Sequence, residues 1–394
     1  MIEAERDRAH MARCLELAAT FRGRTAPNPI VGCVIVSASG RVLAEGAHAG
    51  PGTPHAEIVA LGKLGGRAKG ATLYVNLEPC NHHGRTPPCA PVVRDAGVAR
   101  VVIGMPDPIP GHAGGLAVLR AARIATEVGV LREACERANL PFLTWALHHR
   151  PAFTLKAAIT LDGKIATVGG ESKWITGPVA RADVMRLRDE HAAVLVGIGT
   201  VLADDPWLTA RRPGARDPIR IVLDSRLRTP LDAHVLPPVR ARRGAARVIV
   251  VAGPRAPGTR ERALVARGAE VWRVPAHRNG RLDLHALARR LGEAAITSVL
   301  VEGGGEVHAS LLAQRLADEL VLYVAPKVVG GPAPSWVGGA GLASMQAALP
   351  FVFDEAVTWL GDDLRLTAVP RPVPEPAPTS APARRAAGAR SRGR

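Results

Sequence analysis

The stretches His55-Ala56-Glu57 and Glu78-Pro79-Cys80-Asn81-His82-His83-Gly84-Arg85-Thr86-Pro87-Pro88-Cys89 decide how this chain is read. One His and two Cys offer three zinc ligands and leave a fourth position open for water. Zinc lowers the pKa of such a water to about 7. Glu57 follows His55 by two residues, at the start of a predicted helix. It can stand beside the water without ligating the metal, take a proton and pass it to a leaving amine. A closed zinc site or plain buried thiols would give Glu57 no task.

The H-x-E with P-C and a later Cys is the pattern of zinc deaminases. One detail departs from it. Nucleobase deaminases carry C-x-x-C, whereas eight residues separate Cys80 from Cys89 here. Gly84, Pro87 and Pro88 allow a tight excursion that returns Cys89 to the metal. His82 and His83 stay open as alternative ligands.

Around this motif, strands and helices alternate. Met11, Cys14, Leu15 and Ala18 share one helix face. Val31–Ser37, Val42-Leu43, Ala71–Leu77 and Val101–Gly104 read as strands, and His55–Leu64 as a helix. This predicts a layered α/β domain. Trp145–Pro151 reads as a connector. Beyond it, strands are predicted at Phe153–Ile159, Ala193–Val196, Ile219–Leu223, Val248–Val251, Ser298–Val301 and Val321–Val324. Helices are predicted at Arg181–Arg188, Glu261–Ala266 and Leu284–Leu291, giving a second α/β domain with much parallel pairing. Residues 211–217 and 237–247 read as loops.

The length of 394 residues suits two domains. Apolar residues make up 47% of the chain, enough to fill two cores. No apolar run approaches the roughly 18 residues of a membrane span. An acidic start, with Glu3, Glu5 and Asp7, is unlike a secretory signal, so a cytoplasmic protein is expected. Five cysteines cannot all pair, which favours a metal site or buried thiols over disulfides. The net charge of +16 invites a nucleic-acid reading. Its distribution opposes it. Residues 370–394 carry +5 with six prolines, a composition too poor in apolar groups to offset ordering entropy, so a disordered tail is expected. Only six of the 51 basic residues are Lys, an arginine bias that points to genome composition. Aromatics are 3%, too few for base-stacking platforms. Neither nucleic acid nor membrane is expected as a partner.

Taken together, these motifs resemble the bifunctional deaminase/reductase family of riboflavin biosynthesis. The carrying residues are Pro27-Asn28-Pro29-Ile30-Val31-Gly32, the His55 and Cys80–Cys89 stretches, and Leu161-Asp162-Gly163-Lys164. They continue through Gly170–Thr176, Val201-Leu202-Ala203-Asp204-Asp205-Pro206, Val301-Glu302-Gly303-Gly304 and Ala325-Pro326-Lys327. The resemblance spans about residues 8–368. It implies a cytidine-deaminase-like three-layer α/β/α domain over 1–148 and a dihydrofolate-reductase-like α/β domain over 149–369. It implies two cofactors, Zn2+ and NADPH, a phosphorylated pyrimidine substrate, and a homo-oligomer. The first reaction removes the 2-amino group of a diaminopyrimidinone ribosylamino 5′-phosphate; the second delivers hydride to C1′ of the opened ribosyl group.

The resemblance also implies site residues. His55, Cys80 and Cys89 hold zinc, Glu57 shuttles protons, and Asn28, His48 and Arg85 line the first substrate site. Ile159, Trp174, Thr200, Asp204, Ser225 and the run Gly304, Gly305, Glu306, Val307, His308, Ala309 and Ser310 meet NADP. Ser172, Arg188, Leu208, Arg211 and Glu302 meet the second substrate. Two arginines suit its phosphate. The glycines before a helix suit an anion on their own account. Lys156, on the first strand of the second domain, assists ring opening or polarises the imine. Relatives usually carry Asn where this chain has Ile109, which removes one loop contact. The competing readings are a nucleic-acid base deaminase with an accessory domain, and a non-catalytic scaffold. The Cys80–Cys89 spacing and the whole second half speak against the first, and the complete His55, Glu57, Cys80, Cys89 set against the second.

Overall fold

The computed structural model describes residues 3–84, 86–237, 246–354 and 357–371. The N-terminal half runs α1 (Glu3–Ala19), β1 (Gly32–Val36), β2 (Val42–Ala47), α2 (Ala56–Gly62), β3 (Thr72–Leu77), α3 (Cys89–Asp95), β4 (Arg100–Met105), α4 (Gly115–Ala121), β5 (Ala125–Val128), α5 (Arg132–Ala138) and α6 (Leu140–His148). Its sheet has the order β2-β1-β3-β4-β5. The β1 strand runs antiparallel to both neighbours, and β3, β4 and β5 run parallel. The central strands are buried along almost their whole length, as continuous apolar runs require when helices cover both faces.

The C-terminal half runs β6 (Ala152–Thr160), α7 (Pro178–Glu190), β7 (Ala193–Gly197), α8 (Ile198–Asp204), β8 (Ile219–Leu223), β9 (Val248–Ala252), α9 (Gly258–Ala266), β10 (Glu270–Arg273), α10 (Leu284–Glu293), β11 (Ser298–Val301), α11 (Gly305–Ala313), β12 (Glu319–Ala325), β13 (Phe351–Phe353), β14 (Thr358–Leu360) and β15 (Asp363–Pro370). Its ten-stranded sheet has the order β10-β9-β8-β7-β11-β6-β12-β15-β13, with β14 on β15. Strands from β10 to β12 pair in parallel, and β15 adds antiparallel. Two apolar clusters lie on its faces, one around Phe153, Leu195 and Val299, the other around Val194, Val222 and Tyr323.

The chain has two tyrosines, and both are buried. Tyr74 on β3 donates to Asp7 of α1 at 2.9 Å, and Arg100 pairs with the same carboxylate. Tyr323 on β12 donates to Asp183 of α7 at 2.7 Å, beside Arg186. In each half one hydroxyl thus ties a helix to the sheet, and an arginine keeps the acceptor ionised.

Trp145–His148 are not a connector. They are the last turn of α6, which buries Phe142 and Thr144. Trp145 Nε1 donates to the Gly292 carbonyl at 3.0 Å, so this turn docks on the C-terminal half. Among the described residues no helix is long and apolar enough to cross a membrane. Residues 372–394 of the Pro/Arg-rich tail lie outside the described residues, as do 238–245 of the predicted 237–247 loop.

At Gly32, α1 meets β1 so closely that a Cβ would lie 2.0 Å from the Cys14 carbonyl oxygen. Backbone must move to admit it. We expect Gly32→Ala to lower stability by roughly 1–3 kcal/mol in urea unfolding of the full chain. An unchanged midpoint contradicts this packing.

Candidate deaminase and reductase sites

Three element ends meet in the N-terminal half. His55 precedes α2, Cys80 follows β3, and Cys89 opens α3. Their ligand atoms all lie within 4.8 Å of one another, and among the described residues they form the cluster of His, Cys and acidic groups suited to a metal. Cys89 Sγ is 3.2 Å and Cys80 Sγ 3.6 Å from His55 Nδ1. Tetrahedral zinc with its usual bond lengths separates N and S ligands by about 3.5 Å, so the donor set fits the ion. Hydrogen bonds to Cys89 and His55 draw the Cys80 thiol down to about 4, toward the thiolate a metal needs. Thr86 Oγ1 lies 3.2 Å from His55 Nε2 and fixes the ring from behind.

Glu57 is buried in the first turn of α2. Burial pushes its carboxyl up to about 6, which places it near the range where a proton is both taken and given. His48 is buried too, with its ring centroid 5.2 Å from that of His55. Its Nε2 sits 3.0 Å from Asn28 Nδ2, so Asn28 and His48 come together beside the metal cluster. Arg85 lies outside the described residues. His82 is not in the cluster; its ring stacks on His112 with centroids 3.8 Å apart.

Glu78 carries a task that its place in the motif did not reveal. Its buried carboxylate accepts from the backbone N–H groups of Asp107, Gly114 and Leu116 at 3.2, 3.1 and 2.9 Å. It therefore pins the 107–116 loop against the residue pair that leads into Cys80. Ile109 sits in that loop and gives its N–H to Asp107 Oδ1 at 2.9 Å, so the turn closes without an Asn side chain.

In the C-terminal half a cavity of about 1880 Å³ opens beside β6, β7 and β11. Single-ligand pockets run to roughly 1,000 Å³, so this one has room for two molecules side by side. At its floor Arg188 clasps Glu302 with two bonds, of 2.5 and 3.0 Å. Lys156 Nζ lies 3.6 Å from the same carboxylate. Arg188 is buried and the Lys156 and Glu302 side chains are mostly covered, and this desolvation alone would push Glu302 up and Lys156 down. Arg188 and Lys156 outweigh burial at Glu302 and bring it to about 2, while at Lys156 burial prevails and its pKa falls. The Lys156 ammonium is also 6.0 Å from the centre of the Tyr323 ring.

Around this floor the cavity is lined by Ser172, Leu208 and Arg211, and by Trp174, Thr200, Asp204, Ser225 and the run from Gly304 to Ser310. Ser172 donates to Asp204 at 3.2 Å, joining the two sets. Gly304 takes φ +64 just before α11, and the first turn of that helix lines the cavity. Gly303 leaves no room for a side chain, since a Cβ would lie 2.7 Å from Val196 Cα. One residue of the expected cofactor set stands apart. Ile159 is buried and does not line the cavity, although Lys156, Ala157 and Ala158 of the same strand do. His308 is buried, with Nδ1 2.9 Å from the Trp336 carbonyl oxygen.

Two family models match the two halves. Residues 4–105 match the cytidine and deoxycytidylate deaminase zinc-binding region, and residues 151–358 match the RibD C-terminal domain. Riboflavin biosynthesis protein RibD of Bacillus amyloliquefaciens is 41% identical over 365 residues, covering 92% of this chain and 96% of that protein. The solved structure of Acinetobacter baumannii RibD (form 1) is 37% identical, with a TM-score of 0.80 over 94% of this chain and 100% of that one. A Thermotoga maritima structure described as a diaminohydroxyphosphoribosylaminopyrimidine deaminase/5-amino-6-(5-phosphoribosylamino)uracil reductase is 35% identical. Its TM-score is 0.77, over 94% of this chain and 100% of that one. A match of this extent, running through both halves and both sites, makes this chain a member of the RibD family.

Proposed function

We propose that this chain carries out two consecutive steps of riboflavin biosynthesis. The first is hydrolytic deamination of 2,5-diamino-6-ribosylamino-4(3H)-pyrimidinone 5′-phosphate; the second is NADPH-dependent reduction of 5-amino-6-(5-phosphoribosylamino)uracil. The observation that carries this reading is the pair of sites on one chain: three zinc-type ligands beside a buried Glu57, and a two-ligand cavity floored by Lys156, Glu302 and Arg188. Residues 1–148 are read as the deaminase domain and 149–369 as the reductase domain. The separate sheets and the end of α6 at His148 support that division. A homo-oligomer and a cytoplasmic location belong to the same reading and rest on the family resemblance.

His55, Cys80 and Cys89 would hold zinc, which supplies the Lewis acidity that makes water a nucleophile near neutral pH. Glu57 takes a proton as the water oxygen bonds to C2. It then gives that proton to the amino group as the C2–N bond breaks and ammonia leaves. Asn28 and His48 present polar edges to the pyrimidine, with Arg85 as the third contact of this set. In the reductase domain NADPH supplies the hydride. Trp174, Thr200, Asp204, Ser225 and residues 304–310 are proposed to hold it, with Ile159 contributing through the backbone of β6. Lys156 hydrogen-bonds the sugar at the reacting carbon, and Glu302 keeps it in place. Arg188 and Arg211 hold the 5′-phosphate, and Ser172 and Leu208 complete the substrate wall.

Glu57→Gln keeps the shape and removes the proton carrier. We expect ammonia release to fall by at least about a hundredfold, while NADPH oxidation on ready-deaminated substrate is unchanged. Unchanged ammonia release contradicts the role of Glu57. Glu302→Gln strips two buried cations of their counter-charge. It should cost roughly 3 kcal/mol in urea unfolding of the C-terminal half and abolish NADPH oxidation, with ammonia release retained. Wild-type unfolding and turnover in that variant contradict the ionic floor.

A further inference from the structure

Helix α7 brings Arg188 to the cavity. An α-helix leaves its last carbonyls without intrahelical partners. The Asp189 carbonyl of α7 finds one outside its own domain: Arg24 Nη1 donates to it at 3.1 Å, and Arg24 Nη2 donates to Asp189 Oδ1 at 2.6 Å. Arg24 belongs to the turn between α1 and β1, which also carries Asn28. A cation is favoured at a helix C-terminus. The fit is close: Gly23 has φ +74, and a Cβ there would lie 2.7 Å from the Asp189 carbonyl oxygen.

Asp189 does a second thing. Its Oδ1 also accepts from the Arg216 N–H at 2.8 Å, and Arg212 Nη1 is 3.8 Å from its Oδ2. The carboxylate therefore holds the segment 209–217. At one end of that segment the Thr209 carbonyl accepts from Arg188 Nη1 at 3.0 Å. Two residues on, Arg211 lines the cavity. Leu208 and Arg211 take φ of +53 and +29, a conformation that residues with a side chain keep only where the surroundings hold them. A chain of contacts thus runs from a turn of the deaminase domain, through Asp189, to both arginines at the reductase floor.

We infer that Arg24 is a positioning residue of the reductase reaction: through Asp189 it holds Arg188 and Arg211 where the substrate phosphate binds. The inference rests on the reading of those two arginines as phosphate ligands. It gives the deaminase domain a part in the second reaction beyond supplying its substrate.

The test uses full-length protein given ready-deaminated substrate, with KM measured separately for that substrate and for NADPH. Arg24→Ala should raise KM for the phosphorylated substrate about tenfold and leave KM for NADPH within about twofold. Arg24→Lys, which keeps a cation and a donor, should recover part of the loss. Asp189→Asn should match Arg24→Ala, and the double variant should be no worse than either single one. An unchanged KM in Arg24→Ala, or an equal loss toward both ligands, overturns the inference. Arg211→Ala separates the two claims. A raised KM there with none in Arg24→Ala contradicts the inference alone. No rise in either contradicts the phosphate reading, and the inference falls with it.

Discussion

The N-terminal half depends on one constraint: ligand atoms from three element ends must meet within 4.8 Å. Two helix starts and one strand end supply them. The eight residues between Cys80 and Cys89 have to leave the strand and come back. Short bonds enforce the return. The Ala90 N–H donates to the Cys80 carbonyl at 3.1 Å, and the Cys89 N–H reaches Cys80 Sγ at 3.4 Å. Glu78 fastens a separate loop to the same strand end, and Gly115 of that loop lies so near that a Cβ would collide with the Pro79 carbonyl. Metal ligand, proton carrier and loop anchor are thus set by a few residues at and beside the end of the central strand β3.

The C-terminal half solves a different problem. Lys156 and Arg188 face a single carboxylate, so its floor carries an excess of buried positive charge. Buried charge without full compensation is costly. An anionic substrate would complete the balance, in keeping with the phosphorylated pyrimidine proposed for this site. The two cations also explain why Glu302 stays ionised although it is largely covered. Size adds to charge: the cavity spans the floor, the α11 N-terminus and the Ser225 end of β8, far enough for a dinucleotide beside the sugar.

Much of this was legible in the chain. Buried parallel strands are continuous apolar runs, so β8 at Ile219–Leu223 and β11 at Ser298–Val301 have the bounds their residues suggest. The metal cluster was legible because its residue types and order are rare outside this chemistry. Short edge strands were not: β10 spans four residues and β14 three, with mixed exposure and no period to read. The last turn of α6 was hidden because Trp145-Ala146-Leu147-His148 is set by docking on Gly292, not by its own pattern. Ile159 was expected at the cofactor from the family resemblance, and its burial outside the cavity lining has no signature in the local sequence. The Arg24–Asp189 contact joins residues 165 apart, and nothing local marks either one.

On this reading one chain performs two ordered reactions at two separate sites. The decisive experiment follows ammonia and NADPH together in full-length protein given the diamino substrate, with and without a zinc chelator. Ammonia should appear without NADPH, and NADPH oxidation should follow it mole for mole. The chelator should stop both from the diamino substrate, yet leave NADPH oxidation intact when the deaminated compound is supplied. NADPH oxidation from the diamino substrate in chelated protein, with no ammonia released, would contradict this reading.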